Sequence, residues 1–233
     1  MPPRCTEQTL RRRRQRAASR PAASALAASW LARPDASHLL VVGAGQIAHL
    51  LPRAYRVVRP IARVSVWARS PEQMRVLVAD LQADGFDARP VASLEAAVSE
   101  ADIVCCATLA TEPVVRGRWL RPGSHLDLIG SFTPAMREAD DDCFDAAAIY
   151  VDTDEALAKS GDLLGPMARG IFRAADVRGT LESLSRGEAA GRASPGERTV
   201  FKSVGTALED LAAAMLVQAS IPPPRSFTPP RRP

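Results

Sequence analysis

The stretch HLLVVGAGQIAHL, residues 38–50, sets Gly43, Gly45 and Ala48 in a G-x-G-x-x-A spacing, directly after an apolar run and directly before a helix-forming segment. Each position has a chemical use. Gly43 permits a tight turn, Gly45 removes the side chain where a pyrophosphate must approach, and Ala48 lets the helix pack closely on its strand. Gln46 and Ile47, at the helix start, would turn backbone N–H groups towards the same anion. The spacing predicts a dinucleotide-binding turn; a glycine turn made for packing alone is the alternative. At the end of the next expected strand, where an acid would normally meet the ribose 2′-hydroxyl, the sequence reads VSVWARS, with Ala68 in the acid's place. Arg69 and Ser70 would instead meet a 2′-phosphate, through a charge-assisted fork and a hydroxyl. NADPH is therefore the expected cofactor, with NADH possible. A surface arginine at a strand end is the plainer alternative.

Other chemistry finds little support. His38, His49 and His125 show no metal-ligand spacing, so no metal is expected. Cys5, Cys105, Cys106 and Cys143 form no C-x-x-C pair, and the adjacent two sit in an apolar run, which suggests buried thiols in a reducing cytoplasm. His125 and Asp127 share one face of HLDLIG and invite an acid–base role, but a structural role is expected. No catalytic side chain is identified. The basic run RRRRQR, Arg11 to Arg16, could touch phosphates, yet no aromatic platform or recognition helix accompanies it. Residues 1–34 hold eight arginines and one glutamate, and residues 218–233 hold three arginines and no acid, so the middle is acidic although the whole chain carries +4. A nucleic-acid partner is not expected. No apolar run reaches the roughly 18 residues that a membrane helix needs, and no secretory leader is evident.

The elements that must position the turn alternate. Strands are expected at 39–42, 62–67, weakly at 86–91, then at 102–107, 124–129 and 147–151. Helices are expected at 46–58, 72–84, 93–99, 153–159 and 177–186. Such alternation predicts an α/β, Rossmann-type doubly wound parallel sheet with helices on both faces and a C-terminal helical segment. Pro52 should kink or delay the first of these helices. The expected division is a disordered basic arm over 1–20, a connecting helix over 21–35, a dinucleotide-binding domain over 36–185, a further segment over 186–217 and a proline-rich disordered tail over 218–233. Val204, Leu208, Leu211 and Leu216 recur near helical spacing.

From the glycine turn onward, VVGAGQIA, ADIVCCATLATEPVVRGRWLRPGSHLDLIGSFTPAMREAD, VDTDEALAKSGDL and TVFKSVGTALEDLAAAMLV resemble the ornithine cyclodeaminase/mu-crystallin family over about residues 22–217. The resemblance implies a nicotinamide-dependent oxidoreductase. CATLATEP and GSFTPAMRE are most similar to the branch that reduces Δ1-pyrroline-2-carboxylate to proline and Δ1-piperideine-2-carboxylate to pipecolate. A small cyclic imino acid is then the implied substrate and a homodimer the implied assembly. A non-catalytic, mu-crystallin-like NADPH-binding protein and an ornithine cyclodeaminase-type enzyme are the alternatives.

By this resemblance Thr108 would lie over the nicotinamide, and Lys202, Ser203 and Gly205 would return the C-terminal segment to the active-site mouth. Bottom-up, Thr108 ends an apolar strand, where ligands of open α/β sheets bind, but it could equally cap that strand, and Lys202 could be a solvated lysine on a strand edge. Cyclodeaminases of the family carry an aspartate two residues after the glycine of a G-x-D turn; here Gly130 and Ser131 are followed by Phe132, which cannot transfer a proton. That disfavours deamination coupled to cyclisation. The family places most of a substrate and dimerisation domain before the glycine turn, with an arginine and a lysine that hold the substrate carboxylate. The resemblance therefore implies a missing N-terminal substrate domain, and turnover at least about a hundredfold below that of a full-length relative.

Overall fold

The computed structural model describes residues 7–220. Eight strands form one fully parallel sheet: β1 (His38–Val42), β2 (Arg63–Trp67), β3 (Asp87–Pro90), β4 (Ile103–Cys106), β5 (His125–Leu128), β6 (Ala148–Val151), β7 (Gly179–Thr180) and β8 (Thr199–Lys202), in spatial order β3-β2-β1-β4-β5-β8-β6-β7. The α/β doubly wound expectation is thus met. Strands β1, β4, β5, β6 and β8 are buried along their whole length, as parallel strands covered on both faces must be.

The helices are α1 (Glu7–Leu31), α2 (Gln46–Val58), α3 (Pro71–Ala83), α4 (Leu94–Glu100), α5 (Ala156–Lys159), α6 (Gly161–Ala168), α7 (Leu181–Ser185) and α8 (Ala207–Ser220). Alternate residues of β1 serve opposite layers. Leu39 and Val41 pack with Ala48, Leu51 and Tyr55 of α2, Leu77 and Leu81 of α3, and Ala28 of α1. Leu40 and Val42 pack with Val98 of α4, Leu128, Val151 and Leu163. On the α1 side, Ala23, Ala27 and Leu31 cover Tyr150, Phe201 and Leu184.

Several boundaries differ from expectation. The first helix begins at Glu7, so residues 7–20, expected as a disordered arm, are helical; the run contains arginine, glutamine and alanine but no glycine or proline, and those residues favour helix. Residues 1–6 and 221–233, which hold the rest of the expected arm and nearly all of the expected tail, lie outside the described residues. Pro52 sits inside α2, which runs on without a break, its buried ring packed inward. Helix α6, which contains Gly161 and Pro166, has no readable period in the sequence. The helix expected over 177–186 is shorter, preceded by β7. The larger difference is β8. The sequence groups it with the C-terminal segment, yet it pairs with β5 on one side and β6 on the other and is interior to the sheet.

Candidate functional site

Strand order reverses at β1, whose chain runs outward to β2 and β3 on one side while β4 and β5 continue on the other. The loops leaving β1 and β4 therefore diverge and open a crevice at the carboxyl ends of the strands, the place where open α/β sheets bind ligands. A cleft of about 790 Å³ occupies that crevice, walled by residues 43–45 after β1, 67–70 after β2 and 107–114 after β4, with Gln73 at its side.

The two turn glycines do different work. Gly43 has φ +120°, a value that side-chain-bearing residues rarely adopt, and a Cβ there would lie 2.5 Å from the Ala107 carbonyl oxygen. It is needed for the fold. At Gly45 a Cβ would meet nothing within 4 Å, because that side of the residue faces the open cleft. Gly45 precedes α2, and no side chain caps that helix, so its first-turn amides remain for a bound anion. This is the cradle a pyrophosphate requires. Gln46 and Ile47 start α2 beside the cleft without walling it; Gln46 is exposed and Ile47 packs partly on the core.

Arg69 and Ser70 stand at the lip. Arg69 is exposed and has no ion pair among the described residues, while the Ser70 hydroxyl accepts the Gln73 N–H at 3.3 Å as the cap of α3. A phosphate arriving here would meet a free guanidinium and the start of a helix. Thr108 lies in the opposite wall, half-buried. Sequence reasoning missed what holds it. Glu138, fully buried, accepts the Thr108 N–H at 2.7 Å, the Thr108 hydroxyl at 2.8 Å and the Gly130 N–H at 2.6 Å. Burial pushes the Glu138 carboxyl up to about 7, against the opposing pull of Lys202.

Lys202 is neither solvated nor on an edge. It ends the interior strand β8, is fully buried, donates to the Leu128 carbonyl at 2.9 Å and lies 3.4 Å from Asp162. Asp162, also fully buried, accepts the backbone N–H groups of Glu138 and Ala139. Ser203 is buried, and Gly205, with φ +81°, gives its N–H to Asp152. The structure therefore brings Gly43, Gly45, Arg69, Ser70 and Thr108 to one cleft, and sets Lys202, Ser203 and Gly205 behind and beside it.

One residue given no role from sequence, Arg20, sits beyond the ends of β5 and β8. The guanidinium of Arg20, on α1, lies 5.4 Å from the Phe132 ring centroid, and a Cβ on Gly205 would come within 3.1 Å of its Nε. Its only sequence signal is an arginine at the head of an alanine-rich helical run. His125 and Asp127 are structural. The His125 ring meets Thr199 at 2.9 Å, and burial lowers its pKa to about 3. Asp127 accepts from Tyr55 at 2.7 Å and Cys105 at 2.9 Å, and so fastens α2 to β4 and β5. Among the described residues, no group of three or more His, Cys, Asp or Glu could hold a metal ion, and no helix is long and apolar enough to cross a membrane.

Comparison with known proteins agrees with the fold. Residues 15–222 match the ornithine cyclodeaminase/mu-crystallin family. The chain is 50% identical over 196 residues to the Δ1-pyrroline-2-carboxylate reductase of Paracoccus denitrificans, covering 83% of this chain and 62% of that protein. It is 36% identical over 203 residues to the ketimine reductase mu-crystallin of Rattus norvegicus, covering 85% and 60%. Among solved structures it superposes on Thermococcus litoralis Δ1-pyrroline-2-carboxylate reductase in complex with NADH and L-proline, with a TM-score of 0.83 and 31% identity, over 87% of this chain and 64% of that one. The chain spans about three-fifths of the length of the curated relatives it matches.

Proposed function

This chain belongs to the ornithine cyclodeaminase/mu-crystallin family, and from that premise we propose that it serves the NADPH-dependent reduction of cyclic imino acids, Δ1-pyrroline-2-carboxylate to proline and Δ1-piperideine-2-carboxylate to pipecolate. The observation that carries this reading is the open side of Gly45, which faces a cleft bounded by Arg69 on one wall and Thr108 on the other. When bound, the reduced nicotinamide would supply a hydride from its C4 to the carbon of an imine already protonated at nitrogen, leaving the neutral amine and the oxidised nicotinamide.

The chain's own residues do the rest. Gly45 leaves room for the pyrophosphate beside the amides of Gln46 and Ile47. Arg69, with no carboxylate among the described residues to neutralise it, favours the 2′-phosphate of NADPH over the bare ribose of NADH, and Ala68 offers that ribose no acid. Thr108 fixes the wall at the end of β4. Arg20 is the cation offered to a substrate carboxylate, since it lies against Phe132 and Gly205 beyond the ends of β5 and β8. Phe132 itself offers no proton-transfer group, which suits an imine already formed and weighs against deamination.

We also infer a homodimer, a reading supported by Leu208, Leu211 and Met215, exposed along α8. A cytoplasmic location follows from the same reading and is supported by Cys105, Cys106 and Cys143, buried and unpaired. For the domains, we keep residues 36–185 as the dinucleotide unit and add β8 to it. Incubating the purified chain with NADPH and Δ1-piperideine-2-carboxylate, while following the loss of reduced-nicotinamide absorbance, tests the function. Substrate-dependent oxidation supports a reductase. NADPH binding without oxidation, in an assay sensitive to turnover well below a hundredth of a full-length relative's, favours a non-catalytic binding protein, and ammonia release from ornithine would overturn the reading in favour of a cyclodeaminase.

A further inference from the structure

Residues 108–114, one whole wall of the cleft, form a loop without helix or strand, and such a loop needs something to hold it. Both ends are tied to one residue. At the start, the Glu138 carboxylate takes the N–H and hydroxyl of Thr108. At the far end, the backbone carbonyl of Glu138 accepts the N–H groups of Val114, at 2.9 Å, and Val115, at 3.0 Å. Midway, the Arg137 N–H donates to the Ala110 carbonyl. The second carboxylate oxygen of Glu138 reaches across to the Gly130 N–H at the end of β5. Only glycine fits there: a Cβ on Gly130 would lie 1.9 Å from the Thr108 carbonyl oxygen and 2.4 Å from Oε1 of Glu138. Glu138 is itself anchored, its N–H held at 2.8 Å by the buried Asp162.

We propose that Glu138 is a positioning residue for the cofactor cleft, its ionised carboxylate fastening the 108–114 wall to the end of β5 in the form that a nicotinamide dinucleotide meets. The proposal rests on the cofactor reading of the cleft. Three donors converge on the two oxygens, two of them on Oε1, so every contact requires an acceptor. A proton on either oxygen removes the charge from all three contacts and weakens most the two that backbone N–H groups make, since hydrogen bonds to an ionised acceptor are roughly twice as strong as neutral ones. The charged form is favoured by Lys202 on β8 and by the Thr108 hydrogen bonds, and opposed by burial and by Asp162 on α6. Cys106 on β4 also faces this cluster, but burial pushes its thiol well up and keeps it neutral. The wall should therefore be fastened above about pH 7 and loosen below it.

The test is the affinity for NADH as a function of pH, read by nicotinamide fluorescence on the full chain. NADH is the probe because it lacks the 2′-phosphate, whose own titration would overlap. The expected result for the wild type is a Kd that rises about three- to tenfold as pH falls from about 8 to 6, with a midpoint near 7. Glu138→Gln keeps the shape but turns an amide donor towards one of the three N–H or O–H groups. Its Kd should be raised about tenfold at the higher pH and should not change with pH. A flat wild-type profile, or Glu138→Gln binding as the wild type does at both ends of the range, overturns the proposal and leaves the cofactor reading standing. No NADH binding at any pH overturns both. The wild-type profile decides the matter even if Glu138→Gln does not fold.

Discussion

Replacing Gly45 with valine separates a glycine kept for the ligand from one kept for the fold. Gly45 has φ −83° and ψ −177°, ordinary extended backbone that valine adopts readily, and its Cβ direction is empty to 4 Å. The cost to the folded chain is confined to a poorer N-cap, below about 1 kcal/mol, which for a chain of this size moves Tm by no more than about 2–4 °C. The two added methyls enter the space where the pyrophosphate would lie against the first turn of α2. Losing that approach should raise the NADPH Kd at least a hundredfold, about 2.7 kcal/mol.

Gly43→Ala is the counterpart. Its φ of +120° strains any side chain by about 1–3 kcal/mol, and the new Cβ would stand 2.5 Å from the Ala107 carbonyl oxygen, so β1 and β4 must part. A Tm loss of about 5–10 °C is expected there. The assay pairs thermal unfolding with fluorescence titration of NADPH for both variants. Gly45→Val that folds as the wild type and still binds NADPH within about threefold of it would refute the assignment of this turn to the cofactor.

Three further outcomes follow from the geometry. Arg69→Ala should weaken NADPH by one to two orders of magnitude, about 1.4–3 kcal/mol, and leave NADH unchanged; equal losses for both cofactors in parallel titrations would remove Arg69 from the 2′-phosphate. Arg20→Ala should raise KM for the cyclic imino acid about ten- to a hundredfold while the NADPH Kd stays constant, which steady-state kinetics and titration distinguish. His125 is held neutral by burial, with a pKa of about 3 in the fold against 6.5 as its ordinary value. The unfolded chain thus takes up a proton below about pH 6.5 that the folded chain refuses, and stability falls by about 1.4 kcal/mol per pH unit from there towards pH 3. In urea unfolding, His125→Leu should show a shallower fall between about pH 6 and 4, and an unchanged slope would contradict a buried neutral imidazole.

Local sequence determined the parts whose physics is local. A strand, a glycine turn and a helix that follow one another within residues 38–58 are fixed by burial pattern and backbone sterics, so the turn and the separate uses of its two glycines are legible in the residues alone. So is Ala68-Arg69-Ser70, because β2 runs parallel beside β1 and ends next to the turn. The alternation of elements likewise requires a parallel sheet covered on both faces. The start of α1 escapes this reading because its arginines resemble a solvated arm, although arginine is a good helix former.

Tertiary structure alone decided the order of the sheet. Strand pairing joins residues far apart in the chain, and nothing in the four residues TVFK says that β8 inserts between β5 and β6 after some seventy intervening residues. That insertion turns Lys202 from a surface lysine into a buried cation beside Asp162, and it places the charge that keeps Glu138 within reach of ionisation. Glu138 closes the GSFTPAMRE stretch, yet nothing in that stretch tells what its carboxylate holds; that follows from the close approach of the ends of β4 and β5, where Gly130 has no room for a side chain. Arg20 became part of the site for the same reason, since α1 crosses the sheet and delivers it beside Phe132 and Gly205, residues more than a hundred positions away.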